Sequence, residues 1–317
     1  MQEEFYKGIS VAGLNAGLFP DVAVYIKTGS NYMLYKPHGQ KMTDADHERL
    51  ERRGAEYIYV RTGDMEIVSE YLENNLGQVL KSADLKSSQK GRIVYQTVVD
   101  YVAEIFEDSE KIKNVDRCRN LVRQIGRYLC SEKDALEPLK GAVQGAPYPV
   151  AHSVQVAVLA LLMHIKILQM GEGKALEDAG IGALFCDIGM VDGVSDPGNQ
   201  AKASSLQEYH QIKQHVTMGH DYLKRLGLFS DAVLSVVLCH HERFDGKGYP
   251  SRLAGDAIPK SAQIVALCDK FCTLTSDHSH RVAVTPLQAV QNMKDSKGAC
   301  ESILFEQFHK IIIGCRL

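Results

Sequence analysis

Apolar positions along the chain follow two different patterns. Near the N-terminus, β-branched and aromatic residues cluster in the runs 22–28, 32–37 and 55–62, which is typical of β-strands. Residues 29–31, Gly-Ser-Asn, predict a hairpin between the first two runs. Thr43 begins a capping-box pattern, which predicts a helix before the third strand. The first part of the chain is therefore predicted to be a small α/β domain.

From residue 64 onward, apolar residues recur at three- and four-residue spacing, which predicts helices. The predicted helices are 64–82, 88–107, 111–131, 150–169, 175–188, 205–226, 230–243, 259–275 and 285–294. A stretch near 130–145 is richer in Gly, Pro and charge, so we expect an N-terminal α/β accessory domain over 1–135 and a helical domain over 136–317. The long irregular segment 189–205 is predicted to be a functional or mobile loop.

Composition and charge narrow the classes of function. The 317 residues are 45% hydrophobic and 24% charged, which is typical of a globular protein with a sizeable core. A net charge of −3 argues against a nucleic-acid polymer as partner. The most apolar run, 156–163, is shorter than the roughly 20 residues of a membrane span, and the acidic start is unlike a secretory signal. Eight cysteines without a CxxC pair indicate reduced thiols and a cytoplasmic protein.

Several residues of the helical part carry side chains that bind metals. They are His152, Asp187, His215, His240, His241 and Asp269. A single histidine in a helix is more often an ordinary core or surface residue, but helical bundles do build metal sites from ligands on several helices. Four imidazoles and two carboxylates suit iron, manganese or zinc better than magnesium or calcium. Six ligands are too many for one catalytic ion with an open position, and they fit two ions bridged by a carboxylate.

The order and spacing of these residues resemble the HD-GYP family, a branch of the HD phosphohydrolases. The longest matching stretch is "HHERFDGKGYPSRLAGDAIPKSAQIVALCDKF", residues 240–271. Shorter matches are "HSVQVAVLALLM" at 152–163, "CDIGM" at 186–190 and "IKQHVTMGHDYL" at 212–223. The resemblance covers residues 145–300. It implies a mainly α fold, with an HD-type helical bundle after the small α/β domain.

The resemblance also implies a centre of divalent metal ions that hydrolyses cyclic di-GMP. Two ions are expected, with iron favoured and manganese or zinc as alternatives. Asp187 would be the catalytic residue that bridges them. His152 and Asp269 would bind one ion, and His215, His240 and His241 the other.

Three further residues are candidates for binding substrate. Tyr249 would stack on a guanine or hydrogen-bond to a phosphate, Lys247 would attract the anionic ligand, and Arg281 would supply positive charge. The alternative is that Tyr249 packs in a structural corner and Lys247 is solvated. Glu242 is expected to accept a hydrogen bond from a ligating histidine or to pair with Arg243.

The chain departs from the family pattern at several of these places. Cys186 replaces the first residue of the His-Asp pair, and it either binds metal as a thiolate or is a small buried hydrophobe. Met190 replaces a basic residue, which removes a cation. Tyr148 stands where trinuclear members carry glutamate, so a third ion is not expected. His278 and His280 lie where the family usually continues toward Asp-Arg-Pro-Tyr.

These observations leave three hypotheses. The first is a cytoplasmic phosphodiesterase for a cyclic dinucleotide, with weak or altered activity. The second is a degenerate HD-GYP domain that senses a nucleotide or binds a partner protein. The third is an HD hydrolase that acts on another phosphoester. No membrane is expected as partner, and a homodimer or a signalling-protein partner is left open.

Overall fold

The computed structural model describes residues 5–191, 206–277, 282–296 and 298–315, without the side chains of residues 206–212. The chain separates into two compact units, Met1–Thr97 and Val98–Leu317. This division lies within helix α3 (Ser87–Glu107). The domain boundary predicted at 135/136 stays a prediction.

The N-terminal unit contains a four-stranded antiparallel sheet with the strand order β1-β4-β2-β3. Its strands are β1 (Tyr6–Ser10), β2 (Val24–Thr28), β3 (Asn31–Lys36) and β4 (Tyr57–Arg61). The predicted hairpin is confirmed as β2 and β3, and the predicted third strand is β4. Strand β1 was not predicted, because Lys7 and Gly8 interrupt its apolar pattern.

Two helices complete the described core of this unit, α1 (Asp44–Arg52) and α2 (Met65–Lys81). The predicted capping box is confirmed, because the Thr43 side chain accepts a hydrogen bond from the Asp46 N–H and the Asp46 carboxylate accepts one from the Thr43 N–H. The buried cluster combines residues of the strands, of α1 and of α2, including Ile9, Val24, Leu50, Ile58, Val60, Val68 and Tyr71.

The second unit is helical. Beyond the end of α3, its helices are α4 (Val115–Ser131), α5 (Leu139–Val143), α6 (Tyr148–Ile167), α7 (Lys174–Leu184), α8 (Leu206–Leu226), α9 (Asp231–Cys239), α10 (Lys260–Thr275), α11 (Pro286–Asp295) and α12 (Ser302–Gly314). The expectation of a mainly α fold is confirmed. Helix α6 lies at the centre, with α4, α7, α10 and α12 packed against it.

Helix α6 is apolar around most of its circumference, as a helix enclosed by others should be. It is long and apolar enough to cross a membrane, and no other helix in the described ranges is. However, 72% of its most apolar window is buried inside the protein, and a core helix has the same composition. The helix is therefore explained by its central position in the bundle.

An ion-pair network joins α4 to α7 and to the start of α9. Arg119 Nη1 lies 3.1 Å from Asp178 Oδ1, and Arg123 Nε lies 2.8 Å from Glu177 Oε1. Ser230 caps α9 and donates its hydroxyl to Asp178 Oδ2 at 2.8 Å. The network thus fixes the beginning of α9, the helix whose other end leads to His240.

Two predicted helices end earlier than expected, and both corrections concern candidate ligands. Helix α7 ends at Leu184 rather than 188, so Asp187 directly precedes a short 3-10 turn. Helix α9 ends at Cys239 rather than 243, so His240 and His241 follow it. Tight glycine-containing turns come next in both places, and apolar periodicity does not detect them. Most of the irregular segment predicted at 189–205 lies outside the described residues.

Candidate metal centre

The candidate ligands come from five separate parts of the helical unit. His152 lies on α6, His215 on α8 and Asp269 on α10, while Asp187 and the pair at 240–241 lie in turns. Gly189 lets the turn after Asp187 approach α8, because a Cβ atom on Gly189 would lie 2.1 Å from the backbone oxygen of His215. The close packing of this turn brings Asp187 beside His215.

The first group of donors is formed by His152, Asp187 and Asp269. His152 Nε2 lies 3.0 Å from Asp269 Oδ1 and 3.4 Å from Asp187 Oδ2. The donor atoms of the group lie within 4.8 Å of one another, and His152 and Asp187 are buried. Three such donors leave a metal ion with an open position, as catalytic sites require.

The second group is formed by Asp187, His215, His240 and His241. Asp187 Oδ1 lies 3.2 Å from His215 Nε2 and 3.5 Å from His240 Nε2. The two oxygens of Asp187 therefore face different groups, Oδ2 the first and Oδ1 the second. His241 Nδ1 also lies 3.8 Å from Asp269 Oδ2. One carboxylate between two sets of donors is the arrangement that a bridging ligand needs.

Hydrogen bonds outside these groups orient two of the imidazoles. His240 Nδ1 lies 2.8 Å from the backbone oxygen of Val237 and donates its proton there, so Nε2 is the nitrogen that would bind a metal ion. Nε2 of His240 faces Nε2 of His215 at 3.3 Å. Nδ1 of His152 lies 3.3 Å from the Tyr148 hydroxyl, which can accept its proton in the same way. The donor set therefore fits divalent metal ions.

Electrostatics favour the ligand form of Asp187 and His241 but not of His240. Burial acts to lower the pKa of His240, but its hydrogen bond to Asp187 and the charge of that carboxylate raise the pKa above its ordinary value. Burial acts to raise the pKa of Asp187, but hydrogen bonds from His215 and His240 outweigh it and hold the pKa well below its ordinary value. Burial, and then the charge of His240, lower the pKa of His241 well below its ordinary value. An ionised carboxylate and a neutral imidazole are the forms that bind metals.

Two departures from the family pattern lie in the core. Cys186 is fully buried and belongs to neither group of donors among the described residues. Burial raises the pKa of its thiol well above the ordinary value, which favours a neutral side chain. Met190 is also buried. Of the two alternatives for Cys186, burial favours the small hydrophobe.

The turn after His241 folds back on its own backbone. A Cβ atom on Gly248 would lie 2.4 Å from the nitrogen of Arg243 and 2.6 Å from the oxygen of His241, so Gly248 permits a close approach to the backbone of the chain itself. The buried Glu242 carboxylate accepts hydrogen bonds from the N–H groups of residues 251 and 253 at 2.7 and 3.0 Å. Arg243 pairs with Asp245. Glu242 therefore holds the turn, a role that was not predicted.

A cavity of about 270 Å³ opens beside the second group, between this turn, α10 and the end of α11. The Tyr249 ring lies 4.8 Å from that of His241, and its hydroxyl oxygen is buried. Lys247 is exposed and also lines the cavity. The third predicted substrate residue, Arg281, lies outside the described residues, as do His278 and His280.

Three residues near the donors were not predicted to be part of the site. Tyr148 contacts His152 from four positions earlier on α6, a spacing that places both on one helix face. Lys213 and Lys270 line the cavity. Both lysines are close in sequence to a candidate ligand, but neighbouring helix positions point in different directions, so their proximity in sequence gave no signal.

Comparisons with known proteins agree with this arrangement. The HD domain family matches residues 152–300, a range that includes all six candidate ligands. The cyclic di-GMP phosphodiesterase PA4108 of Pseudomonas aeruginosa is 28% identical over 214 residues, which are 67% of this chain and 51% of that protein. The 3'3'-cGAMP-specific phosphodiesterase 2 of Vibrio cholerae is 28% identical over 171 residues, 53% of this chain and 32% of that protein. This chain thus spans between a third and a half of these relatives.

A solved structure has the same fold along most of the chain. Bd1817, an HDG"Y"P protein from Bdellovibrio bacteriovorus, has a TM-score of 0.67 and covers 97% of this chain and 99% of its own, at 19% sequence identity. The fold, the family match and the curated relatives all agree with the motifs at 152–163 and 240–271. The chain is a divergent member of the HD-GYP family.

Proposed function

We propose that this protein is a metal-dependent phosphodiesterase that hydrolyses a cyclic dinucleotide. The observation that carries the proposal is the position of Asp187, whose two carboxylate oxygens face two separate sets of donors. Two ions held by those sets would activate a shared water and neutralise the charge that develops on the phosphate oxygens. The relatives that hydrolyse cyclic di-GMP and cGAMP support the class of substrate.

Each candidate ligand has a proposed role in this centre. Asp187 would bridge two ions, with its charge maintained by the neighbouring imidazoles. His152 and Asp269 would hold one ion, and His215, His240 and His241 would hold the other. Iron is the favoured metal, with manganese or zinc as alternatives, because mixed imidazole and carboxylate donors suit these ions.

Cyclic di-GMP is the favoured substrate, and the cavity beside the second group is its proposed site. Lys247 attracts the phosphates from the rim. Tyr249 contributes the face of its ring rather than its hydroxyl, because the hydroxyl oxygen is buried. Arg281 is proposed as a further cation. Cyclic GMP-AMP shares the backbone chemistry of cyclic di-GMP, so it is included in the test.

The test uses the purified full chain loaded separately with Fe²⁺, Mn²⁺ or Zn²⁺ and incubated with cyclic di-GMP or cyclic GMP-AMP. Chromatography should detect the linear dinucleotide or mononucleotides. Asp187→Ala should lower the rate at least about 100-fold, because it removes the group that joins the two sets of donors. Asp256→Ala changes an exposed carboxylate and is the matched control. No turnover with any metal, or equal rates for Asp187→Ala and the wild type, would refute the proposal.

A second candidate function is a nucleotide-binding module without turnover. The burial of Cys186 and Met190 favours it, because neither supplies a ligand or a cation at the place where the family pattern has one. Isothermal titration separates the two functions: tight binding of cyclic di-GMP together with no hydrolysis supports the module.

We propose a cytoplasmic location, which suits reduced cysteines and a nucleotide substrate. The part before residue 136 is proposed as an accessory domain that senses a signal or mediates a homodimer.

A further inference from the structure

Among the described residues, basic side chains outnumber acidic ones in the lining of the cavity beside the second group. Its acidic side chains are Glu242, which accepts two backbone hydrogen bonds, and Asp269, which faces the histidines. Of its cations, Arg243 is held by Asp245 outside the cavity lining. Lys213, Lys247 and Lys270 are the lysines that line it within the described ranges. Such a charge pattern favours an anionic ligand.

Lys270 is the clearest part of this pattern. It follows Asp269 on α10, its side chain is exposed, and it has no hydrogen bond or ion pair in the part of the chain that the structure describes. On the same helix, Lys260 pairs with Glu301 at 2.7 Å. Lys270 therefore brings to the cavity an ammonium group that no described residue pairs with.

Lys213 reaches the same cavity from α8. Its Nζ atom lies 5.1 Å from the centre of the Tyr249 ring, and that ring lies 4.8 Å from the ring of His241. The contact between an ammonium group and an aromatic face is attractive and limits the positions of the lysine side chain. Lys213 thus lies near the second group of donors and lines the cavity beside it.

Met190 stands where the HD-GYP pattern has a basic residue, so this position supplies no cation. Met190 is buried at the end of the 3-10 turn after Asp187. A cyclic dinucleotide carries two phosphodiester groups, and a metal centre engages the one being cleaved. The other phosphate needs a separate source of positive charge.

We propose that Lys213 and Lys270 form a phosphate-binding pair that takes the uncleaved phosphodiester of the cyclic dinucleotide. The pair replaces, from helices α8 and α10, the cation absent at Met190. This inference rests on the proposed function for the identity of the ligand, but it concerns binding rather than hydrolysis. An ammonium–phosphate hydrogen bond is charge-assisted and stronger than a neutral one.

The experiment measures binding and turnover separately in the full chain loaded with Mn²⁺. Binding is titrated with a phosphorothioate analogue of cyclic di-GMP, and turnover with cyclic di-GMP itself. The variants are Lys213→Gln, Lys270→Gln and Lys270→Arg, with Lys224→Gln on α8 as the matched control outside this cavity. Each Gln variant should weaken binding about 10-fold, as expected for the loss of one charge-assisted hydrogen bond. KM should rise with kcat nearly unchanged, and Lys270→Arg should restore binding.

Any of four results would contradict the proposed role of the two lysines. The first two are an unchanged Kd in both Gln variants and an equal loss of binding affinity in Lys224→Gln. The others are a fall in kcat without a change in Kd, and a wild-type chain that does not bind the analogue. Binding that depends on both lysines in a chain without turnover would support the pair and refute hydrolysis. The failure of one proposal is therefore distinguishable from the failure of the other.

Discussion

The packing of Gly189 against helix α8 gives the sharpest prediction about the metal centre. In Gly189→Ala, the new methyl group would lie 2.1 Å from the backbone oxygen of His215 and 2.7 Å from the nitrogen of Gly219. Both neighbours are backbone atoms, so no side-chain rotation relieves the clash. Reaching an ordinary contact of 3.4 Å requires the turn and the helix to separate by about 1.3 Å.

This displacement acts directly on the donors. Asp187 lies two residues before Gly189, and its Oδ1 is 3.2 Å from His215 Nε2. Metal coordination tolerates deviations of only about 0.2 Å, so a shift of more than an ångström removes one ligand from the second group. We expect the affinity for the more tightly bound ion to fall about 100-fold, equivalent to about 2.7 kcal/mol. The strain itself should lower the free energy of unfolding by about 1–3 kcal/mol.

Two measurements check this expectation. Metal content after dialysis gives the number of bound ions, and competition with a fluorescent chelator gives their affinity, while circular dichroism verifies that the variant is folded. Gly141→Ala is the control, because its methyl group would meet nothing within 4 Å. If Gly189→Ala is folded and binds metal with the stoichiometry and affinity of the wild type, the link between this packing and the centre is wrong.

Three other changes test the surroundings of the site. Asp178→Asn should lower the free energy of unfolding by about 2 kcal/mol, because a buried carboxylate loses its charge-assisted hydrogen bonds. Burial acts to raise the pKa of Asp178, but the bonds to its partners outweigh burial and lower the pKa. In thermal melts, the stability lost in the variant should therefore be constant above the unfolded pKa near about 4 and should shrink below it. Glu242→Gln should cost about 1–3 kcal/mol in chemical denaturation, because the amide nitrogen that replaces one carboxylate oxygen cannot accept a hydrogen bond from its backbone N–H group. Tyr148→Phe should lower metal affinity about 10-fold in chelator competition, because His152 loses a hydrogen-bond partner.

The helices could be predicted from the sequence because the spacing of apolar residues within a helix is a local pattern. Apolar spacing located α6 and α8 within about two residues, and the types and order of the six ligands indicated a shared centre. Strand β1 escaped detection because its place is set by pairing with β4, about fifty residues later in the chain. Helix α12 was also not predicted.

The details of the site depend on contacts that sequence spacing does not contain. Asp187 is brought to His215 by the packing of Gly189 on α8, and the Gly248 turn lies on the backbone of the histidine pair. Lys213 lines the cavity from α8, and that turn places Tyr249 beneath its ammonium group. Such non-local contacts decide which cations meet the donors, so these lysines could not be identified from the motifs alone.

The exchange of histidine for Cys186 affects the two sets of donors unequally. The second group has four donors, and the first has three if Cys186 stays a buried neutral thiol. A thiolate there would add negative charge beside Asp187 and Asp269, and both carboxylates raise the pKa of the thiol further. If two ions bind as proposed, the ion with His152 and Asp269 should therefore be held less tightly than its neighbour. Since Asp187 faces both sets, the proposed bridge would survive the exchange, and the expected consequence is a weaker first ion rather than the loss of the centre.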